Sequence, residues 1–411
     1  MFTMYDKAKN RVPIRIWLPE ASHVEEGCME QATNLSNLPF VHRHVALMPD
    51  THKGMGMPIG GVIATKGVII PNAVGVDIGC GMVFSGTSIP ARLLRETETA
   101  SGSLLQCIIG DILRNVPVGF NHHKKPQPCQ TLDRAKAQEG LYGRQPSLLA
   151  ELETGYHQVG TLGGGNHFIE LQEGDDGLLG IMIHSGSRHF GKEICDLFHK
   201  AAREENLRWH SEVPDAWRLA FLPVDTQLGK DYISWMNLAL DFAHENRASM
   251  MNAVRGILDR WMEKVLGMEV EYGAEINCHH NYAALEHHFG ENVWVHRKGA
   301  VRAREGEMAV VPGAMGSYSY VVEGLGNAES FCTSSHGAGR QYSRKGAMDA
   351  FSCEEVINDL KEQGVVLGKH NKKDVAEESR FAYKDIDMVM QNQKDLVTPV
   401  KRLRTVGVVK G

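Results

Sequence analysis

The run Pro71-Asn72-Ala73-Val74-Gly75-Val76-Asp77-Ile78-Gly79-Cys80-Gly81-Met82 sets a carboxylate and a thiol three residues apart among glycines, at the end of an apolar stretch. Just upstream, Val62-Ile63-Ala64 and Gly67-Val68-Ile69-Ile70 are rich in β-branched residues and bounded by Gly and Pro, which reads as strands. Asp77 and Cys80 then stand on a loop that leaves a strand.

Glycine-rich surroundings recur downstream at His167 (Gly165-Asn166-His167-Phe168-Ile169-Glu170), His184 (His184-Ser185-Gly186-Ser187-Arg188) and His336 (Ser335-His336-Gly337-Ala338-Gly339-Arg340), while His280 follows Cys278-His279 and precedes Asn281-Tyr282. Glycine permits the close backbone approach that several ligands converging on a small ion require. Any one of these histidines alone reads as an ordinary structural side chain. Four together with Asp77-x-x-Cys80 read as one composite metal centre. Thiolate and imidazole suit zinc, whereas carboxylate and open coordination positions suit manganese or magnesium, so the residue types leave the metal open. Two cations side by side would stabilise the attacking and leaving oxygens of a phosphoryl transfer. The residues themselves lead as far as a phosphate-handling metalloenzyme.

Outward from this centre, residues 191–206 and 231–266 carry helical periodicity, with Met250, Val254, Ile257, Trp261 and Val265 on one stripe. The stretch from about 191 to 266 reads as a helical insertion. Residues from about 120 to 147 hold His122, His123, Lys124, Lys125 and several prolines without apolar periodicity, and read as an exposed surface loop, with a mobile lid or RNA-facing loop as the alternative. Strands return at Asn292–His296 and Tyr318–Val322, and a helix from about 385 precedes the terminal Val406–Gly411. This irregular order, without a βαβ rhythm, predicts an α+β fold: a single large domain over residues 1–411, with mixed β-sheets around a central metal and nucleotide cleft and helices on the flanks.

Apolar residues at 42% and charged residues at 23% describe an ordinary globular chain of 411 residues, and no segment approaches the roughly 18 uninterrupted apolar residues of a membrane span. The N-terminus shows no signal-peptide pattern, so a cytoplasmic location is expected and no membrane partner. Eight cysteines without a regular framework read as free thiols. A net charge of −6 argues against generic attraction to nucleic acid and leaves room for a local basic groove. Gly186–Glu193 nearly matches a phosphate-binding loop, but Glu193 stands where the Mg²⁺-holding Ser or Thr belongs.

The ordered blocks Met48–Gly54, Val74–Met82, Gly160–Glu170, Ile183–Arg188, Asn277–Tyr282, Arg297–Ala300, Val311–Gly316, Ser335–Arg340, Ala382–Ile386 and Val409–Gly411 resemble the RtcB family of RNA ligases almost from end to end. That resemblance implies an enzyme joining RNA that ends in a 2′,3′-cyclic phosphate or 3′-phosphate to RNA bearing a 5′-hydroxyl, using GTP and two Mn²⁺ ions. It implies that His336 takes up GMP. Asp77, Cys80, His167, His184 and His280 fall on metal ligands, with Cys80 bridging the ions. Glu170 and Lys410 match the positions that read guanine. Asn166, Phe168, Ile169, Asn281, Pro312, Gly313, Ala314, Met315, Ser319, Gly337, Ala338, Gly339 and Tyr383 match nucleotide contacts, as do His167, His280 and His336.

Arg188, Arg247 and Arg340 are candidates for an RNA groove, and an activating protein partner is compatible with the same resemblance. Two departures stand out: Ala314 replaces a Ser of many relatives, and His189 replaces a small residue. The metal set alone would also serve a two-metal RNA phosphoesterase that opens cyclic phosphates without ligation. A non-catalytic RNA-binding repair protein is the third reading; it predicts degraded ligand positions, and none is degraded here.

Overall fold

The computed structural model describes the backbone of residues 1–411 and every side chain except that of Glu139. Two mixed sheets carry the candidate site. One runs in spatial order Phe2–Met4, Ile14–Ile16, Val41–His52, Ile59–Thr65, Glu291–Lys298, Asn281–His288. The other runs Ile276–His279, Gly81–Pro90, Leu178–Ser185, Phe168–Gly174, Val397–Lys410, Tyr318–Gly324, Met308–Val311, with Val366–Gly368 added in parallel to Val397–Lys410. Helices pack around both, giving the α+β architecture expected from the sequence.

Alternation along the strands of the second sheet decides what faces the cleft. Ile181 and Ile183 join Leu105, Ile108, Met250 and Val254 in the core under helices Leu104–Asn115 and Gln227–Leu266. Met182, between them, turns to the other face with Phe84, Phe168 and Val408. His184 continues that second set. Its register partners are Met82 on one side and Phe168 on the other, and Lys410 pairs with Phe168 in turn. Directly paired residues share a face, so His184, Phe168 and Lys410 form one row across the sheet. Glu170 sits one row behind, opposite Met182 and Val408.

Helix Gln227–Leu266 starts at Thr226, whose hydroxyl accepts from the Gly229 amide, and stops at Gly267 in the left-handed conformation with φ 62°. Its stripe behaves as the periodicity requires: Met250, Val254 and Ile257 are buried, with Trp261 and Val265 partly buried against the same core. A second helix spans Arg188–Arg208. The strand expected at Gly67–Ile70 is limited to Val68–Ile69, and the helix expected from about 385 is the short Ile386–Asn392 with Asp385 as its cap.

Residues 120–147 depart from the loop expected of them. Residues 120–129 are irregular, but Gln130–Lys136 and Glu139–Tyr142 are helical and Pro146–Gln158 follows. Leu132, Ala135 and Tyr142 pack with Trp235 and Phe242 in one core cluster. The first of these helices has no side-chain cap of its own. Glu245, on the long helix, accepts from the Gln130 and Thr131 amides at 2.8 and 2.9 Å instead. A cap supplied from more than a hundred residues away leaves no local signal. Among the described residues, no helix is long and apolar enough to cross a membrane.

Candidate functional site

Cys80 lies in the turn before strand Gly81–Pro90, and its sulfur is 3.4 Å from His167 Nε2 and 3.2 Å from His184 Nε2. These three ligand atoms lie within 4.8 Å of one another and all three residues are buried. Asp77 Oδ2 is 3.0 Å from His167 Nε2, and His280 Nε2 is 3.0 Å from His184 Nε2. Cys80 therefore stands between an Asp77–His167 pair and a His184–His280 pair. Backbone bonds join the loops: the Gly79 amide donates to Asn281 O and the His280 amide to Cys80 O, both at 2.8 Å. Gly186 leaves room for the carboxylate, since a Cβ there would sit 2.2 Å from Asp77 Oδ1.

The far nitrogen of each ring fixes its tautomer. His167 Nδ1 lies 3.0 Å from Leu162 O and His184 Nδ1 3.1 Å from Asn166 O, so each Nδ1–H donates to a carbonyl and each Nε2 presents a lone pair. His280 Nδ1 is 3.4 Å from Asn281 Oδ1, and Asn281 is itself oriented by accepting from the Gly299 amide at 2.8 Å and donating to Asp77 O at 3.1 Å. Three imidazole lone pairs, a carboxylate and a sulfur thus converge in a buried space. Such a set repels itself unless a cation or protons intervene. Burial, then the Asp77 charge, pushes the Cys80 thiol well above its usual range, and burial first of all holds His184 and His280 well below theirs. The donor set fits one or two divalent cations.

His336 follows strand Thr333–Ser335, whose partner strand Ala300–Arg302 begins beside the His280 loop. Its ring centroid is 4.7 Å from that of His280. Its Nδ1 donates to Asp50 Oδ2 at 2.7 Å, leaving Nε2 free as an acceptor or nucleophile. Asp50 is fully buried, and Lys384 braces the backbone on both sides of it by donating to Pro49 O at 3.1 Å and Thr51 O at 2.6 Å.

A cavity of about 370 Å³ opens from these groups. Asp77, Cys80, His184, His280 and His336 line one end of it. Asn166, Phe168, Glu170, Tyr383 and Lys410 line it as well, together with Pro312–Met315 and Gly337–Gly339. Glu170 Oε2 accepts from Gln172 Nε2 at 2.7 Å and Thr405 Oγ1 at 3.0 Å. Burial pushes its carboxyl up to about 7, against the hydrogen bonds from Thr405 and Gln172 and the charge of Lys410. Lys410 Nζ donates to Glu378 Oε2 at 2.7 Å and lies 6.0 Å from the Phe168 ring centre.

Several expected residues lie elsewhere. Ile169 points to the opposite face of its strand and is buried under the helices, as alternation from Phe168 and Glu170 demands. Ser319 lies behind the Pro312–Met315 turn, where its hydroxyl accepts from the Gly313 amide at 3.1 Å. Arg247, expected on an RNA groove, is fully buried: Nη1 donates to Gly79 O at 2.8 Å and Ser185 O at 2.9 Å, and Nε donates to Asn277 Oδ1 at 2.8 Å. A guanidinium so used clamps the ligand loops and has no free donor face. Arg188 tucks beside the Asp77–Cys80–His167 donor cluster, donating to Thr161 Oγ1 at 3.2 Å and Gly119 O at 3.1 Å. Arg340 does line the cavity, with Nη1 bonded to Glu378 and Tyr383 at 3.1 and 2.7 Å.

Two contributors, Asp50 and Glu378, carry no role expected from the sequence. Asp50 fell within a matching block without a function attached to it. Glu378 gathers Arg340, Tyr383 and Lys410 on one buried carboxylate. Lys298 lines the cavity and donates to Met55 O at 2.6 Å and Asn72 O at 3.0 Å.

The family model described as tRNA-splicing ligase RtcB matches residues 31–411. The chain is 38% identical to the RNA-splicing ligase RtcB of Escherichia coli strain K12, with 97% of both chains covered. It is 32% identical to the tRNA-splicing ligase RtcB of Pyrobaculum aerophilum, over 98% of this chain and 96% of that one. Against the RNA-splicing ligase RtcB of Mycobacterium tuberculosis the identity is 32%, over 93% of this chain and 100% of the relative. With the family model spanning nearly the whole chain and every expected metal ligand drawn into one cluster, this chain belongs to the RtcB family.

Proposed function

We propose that this protein is a GTP- and Mn²⁺-dependent RNA ligase that joins 2′,3′-cyclic phosphate or 3′-phosphate ends to 5′-hydroxyl ends. The observation that carries this reading is the His336–Asp50 pair, which holds a nucleophilic nitrogen at the edge of a buried ligand cluster and a nucleotide-sized cavity. Asp77, Cys80, His167, His184 and His280 would together hold the ions. Bound there, the ions supply charge neutralisation for the phosphates.

His336 Nε2 attacks the α-phosphorus of GTP, and the bond to pyrophosphate breaks as the N–P bond forms. The ring gains positive charge in that step, and the Asp50 carboxylate stabilises it through Nδ1–H. A cyclic end is first opened by water, breaking the P–O2′ bond to give the 3′-phosphate and a 2′-hydroxyl. An oxygen of the RNA 3′-phosphate then attacks the same phosphorus, the N–P bond breaks, and RNA carries a 3′-linked pyrophosphate to G. The 5′-hydroxyl displaces GMP and closes the phosphodiester. Guanine N1–H and its amino group donate to ionised Glu170 while Lys410 donates to O6. Adenine reverses both polarities and leaves both protein groups unpaired.

Incubation with GTP labelled at the α-phosphorus and Mn²⁺ should give an acid-labile, alkali-stable protein label that is absent in His336→Ala. An unlabelled parent protein overturns the proposal. Consumption of GTP as two RNA ends become one separates ligation from the opening of cyclic phosphates alone.

A further inference from the structure

The side chain of Phe120 is fully exposed, with a relative accessibility of 103%. Single exposed apolar residues are ordinary on protein surfaces, but this one combines position and charge in an unusual way. It opens the run Phe120-Asn121-His122-His123-Lys124-Lys125, which contains no acidic residue although the chain carries −6 overall. Phe120, His122, Lys124 and Lys125 are all exposed.

The root of this loop is tied to the candidate site. The Gly119 amide donates to Gly163 O at 2.8 Å, and Gly119 O accepts from Arg188, whose guanidinium lies against Gly163 beside the His167 ring. The C-terminal Gly411 packs on the same two glycines and accepts from Lys369. From Lys369 the exposed His370, Lys372 and Lys373 extend a second basic segment on that side. Carboxylates in the area are engaged or sit at the margin: Asp374 with Lys369, Glu193 with His189, and Glu153 on the shallow hollow of His122, His123 and His157.

We propose that Phe120 and the basic loop behind it form a docking surface for the single-stranded RNA leading into the site, with the Phe120 ring stacking on a base and Lys124 and Lys125 meeting phosphates. This rests on the ligase reading above. An aromatic face flanked by ammonium groups is the arrangement that holds single strands without regard to sequence, because every base has a stackable face and every nucleotide a phosphate. The root is bonded to Gly163, four residues before His167, which ties RNA held there to the segment that carries part of the site.

The test measures binding of a short fluorescent single-stranded RNA with a 5′-hydroxyl end to the full chain, alongside His336 labelling by GTP. Phe120→Ala should weaken RNA binding about tenfold, Phe120→Leu nearly as much, and Phe120→Trp should restore it, with the rate of protein labelling unchanged in all three. Lys124→Glu combined with Lys125→Glu should weaken binding and flatten its dependence on salt. Parent-like RNA affinity in Phe120→Ala and Phe120→Leu overturns the docking surface, leaving the ring as a contact for another protein, while parent labelling and joining would keep the ligase reading intact. A parent protein that takes no label and binds no RNA overturns both.

Discussion

His336 Nδ1 lies 2.7 Å from Asp50 Oδ2, and the same oxygen accepts from the backbone amides of His336 and Gly337 at 3.0 and 3.3 Å. Three donors on one oxygen decide what a substitution does. In Asp50→Asn the amide oxygen must take the three-donor position, so the ring keeps its tautomer and loses only the facing charge. A hydrogen bond to a charged group exceeds a neutral one by about 1–1.5 kcal/mol, so labelling of His336 should slow by about 5- to 13-fold. Asp50→Ala also frees the ring and should be slower still. Single-turnover labelling with GTP and Mn²⁺ measures both, and a parent-like rate in the Asn variant would remove Asp50 from the chemistry.

The ligand cluster gives a prediction independent of turnover. Cys80, His167 and His184 bring lone pairs within 4.8 Å of one another in a buried space, where a cation relieves their mutual repulsion. Mn²⁺ should therefore raise the melting temperature. At about a hundredfold excess over its dissociation constant, a ligand stabilises by about 2.7 kcal/mol. Cys80→Ser and His184→Ala should each shrink the shift, and chelation should abolish it in the parent. Differential scanning calorimetry with and without EDTA decides the matter; a parent protein indifferent to Mn²⁺ would dissolve the metal site.

The convergence of donor side chains was legible because each member sits in a short segment with its own glycine or histidine neighbours. Pairings made by the fold were not. Asp50 and His336 are 286 residues apart, and nothing near either residue announces the other. Neighbours His279 and His280 look alike in sequence, yet one lies 3.0 Å from Gly79 O beside Arg247 and the other reaches His184. The inward turn of the Ile169 side chain was legible too, since strand alternation from Phe168 and Glu170 sends it to the far face. The helix at Gln130–Lys136 was not, because its cap comes from Glu245.

Glu170 makes nucleotide selection dependent on pH. Burial raises its carboxyl to about 7, so below that value it carries a proton and loses an acceptor for the guanine donors. GTP binding should weaken as pH falls through about 7 and level off above it. Stability runs the other way: the contribution of the protonated form is full below the ordinary value of 4.5 and is lost as pH rises through about 7. Glu170→Gln should flatten both profiles and reduce the preference for GTP over ATP. Calorimetric titration of GTP across this range is the check; an unchanged slope in the Gln variant would assign the titration to another group.

Arg247 sets structure against surface. Its guanidinium donates to Gly79 O, adjacent to Cys80, and to Ser185 O, adjacent to His184, and it reaches Asn277 and the His279 ring just before His280. One side chain on the long helix thus ties three ligand-bearing segments together. Arg247→Met keeps the bulk but leaves buried carbonyls without donors, at a cost on the order of 3 kcal/mol. Arg247→Lys places a single compact ammonium where a planar fork was used and should recover only part of the loss. Both variants should melt earlier and bind Mn²⁺ more weakly, while RNA binding by the folded protein stays near that of the parent because the group never reaches the surface. Thermal unfolding, Mn²⁺ titration and RNA binding on the same preparations separate the two roles. A variant that is parent-like in melting and Mn²⁺ affinity yet loses RNA would return Arg247 to the RNA groove.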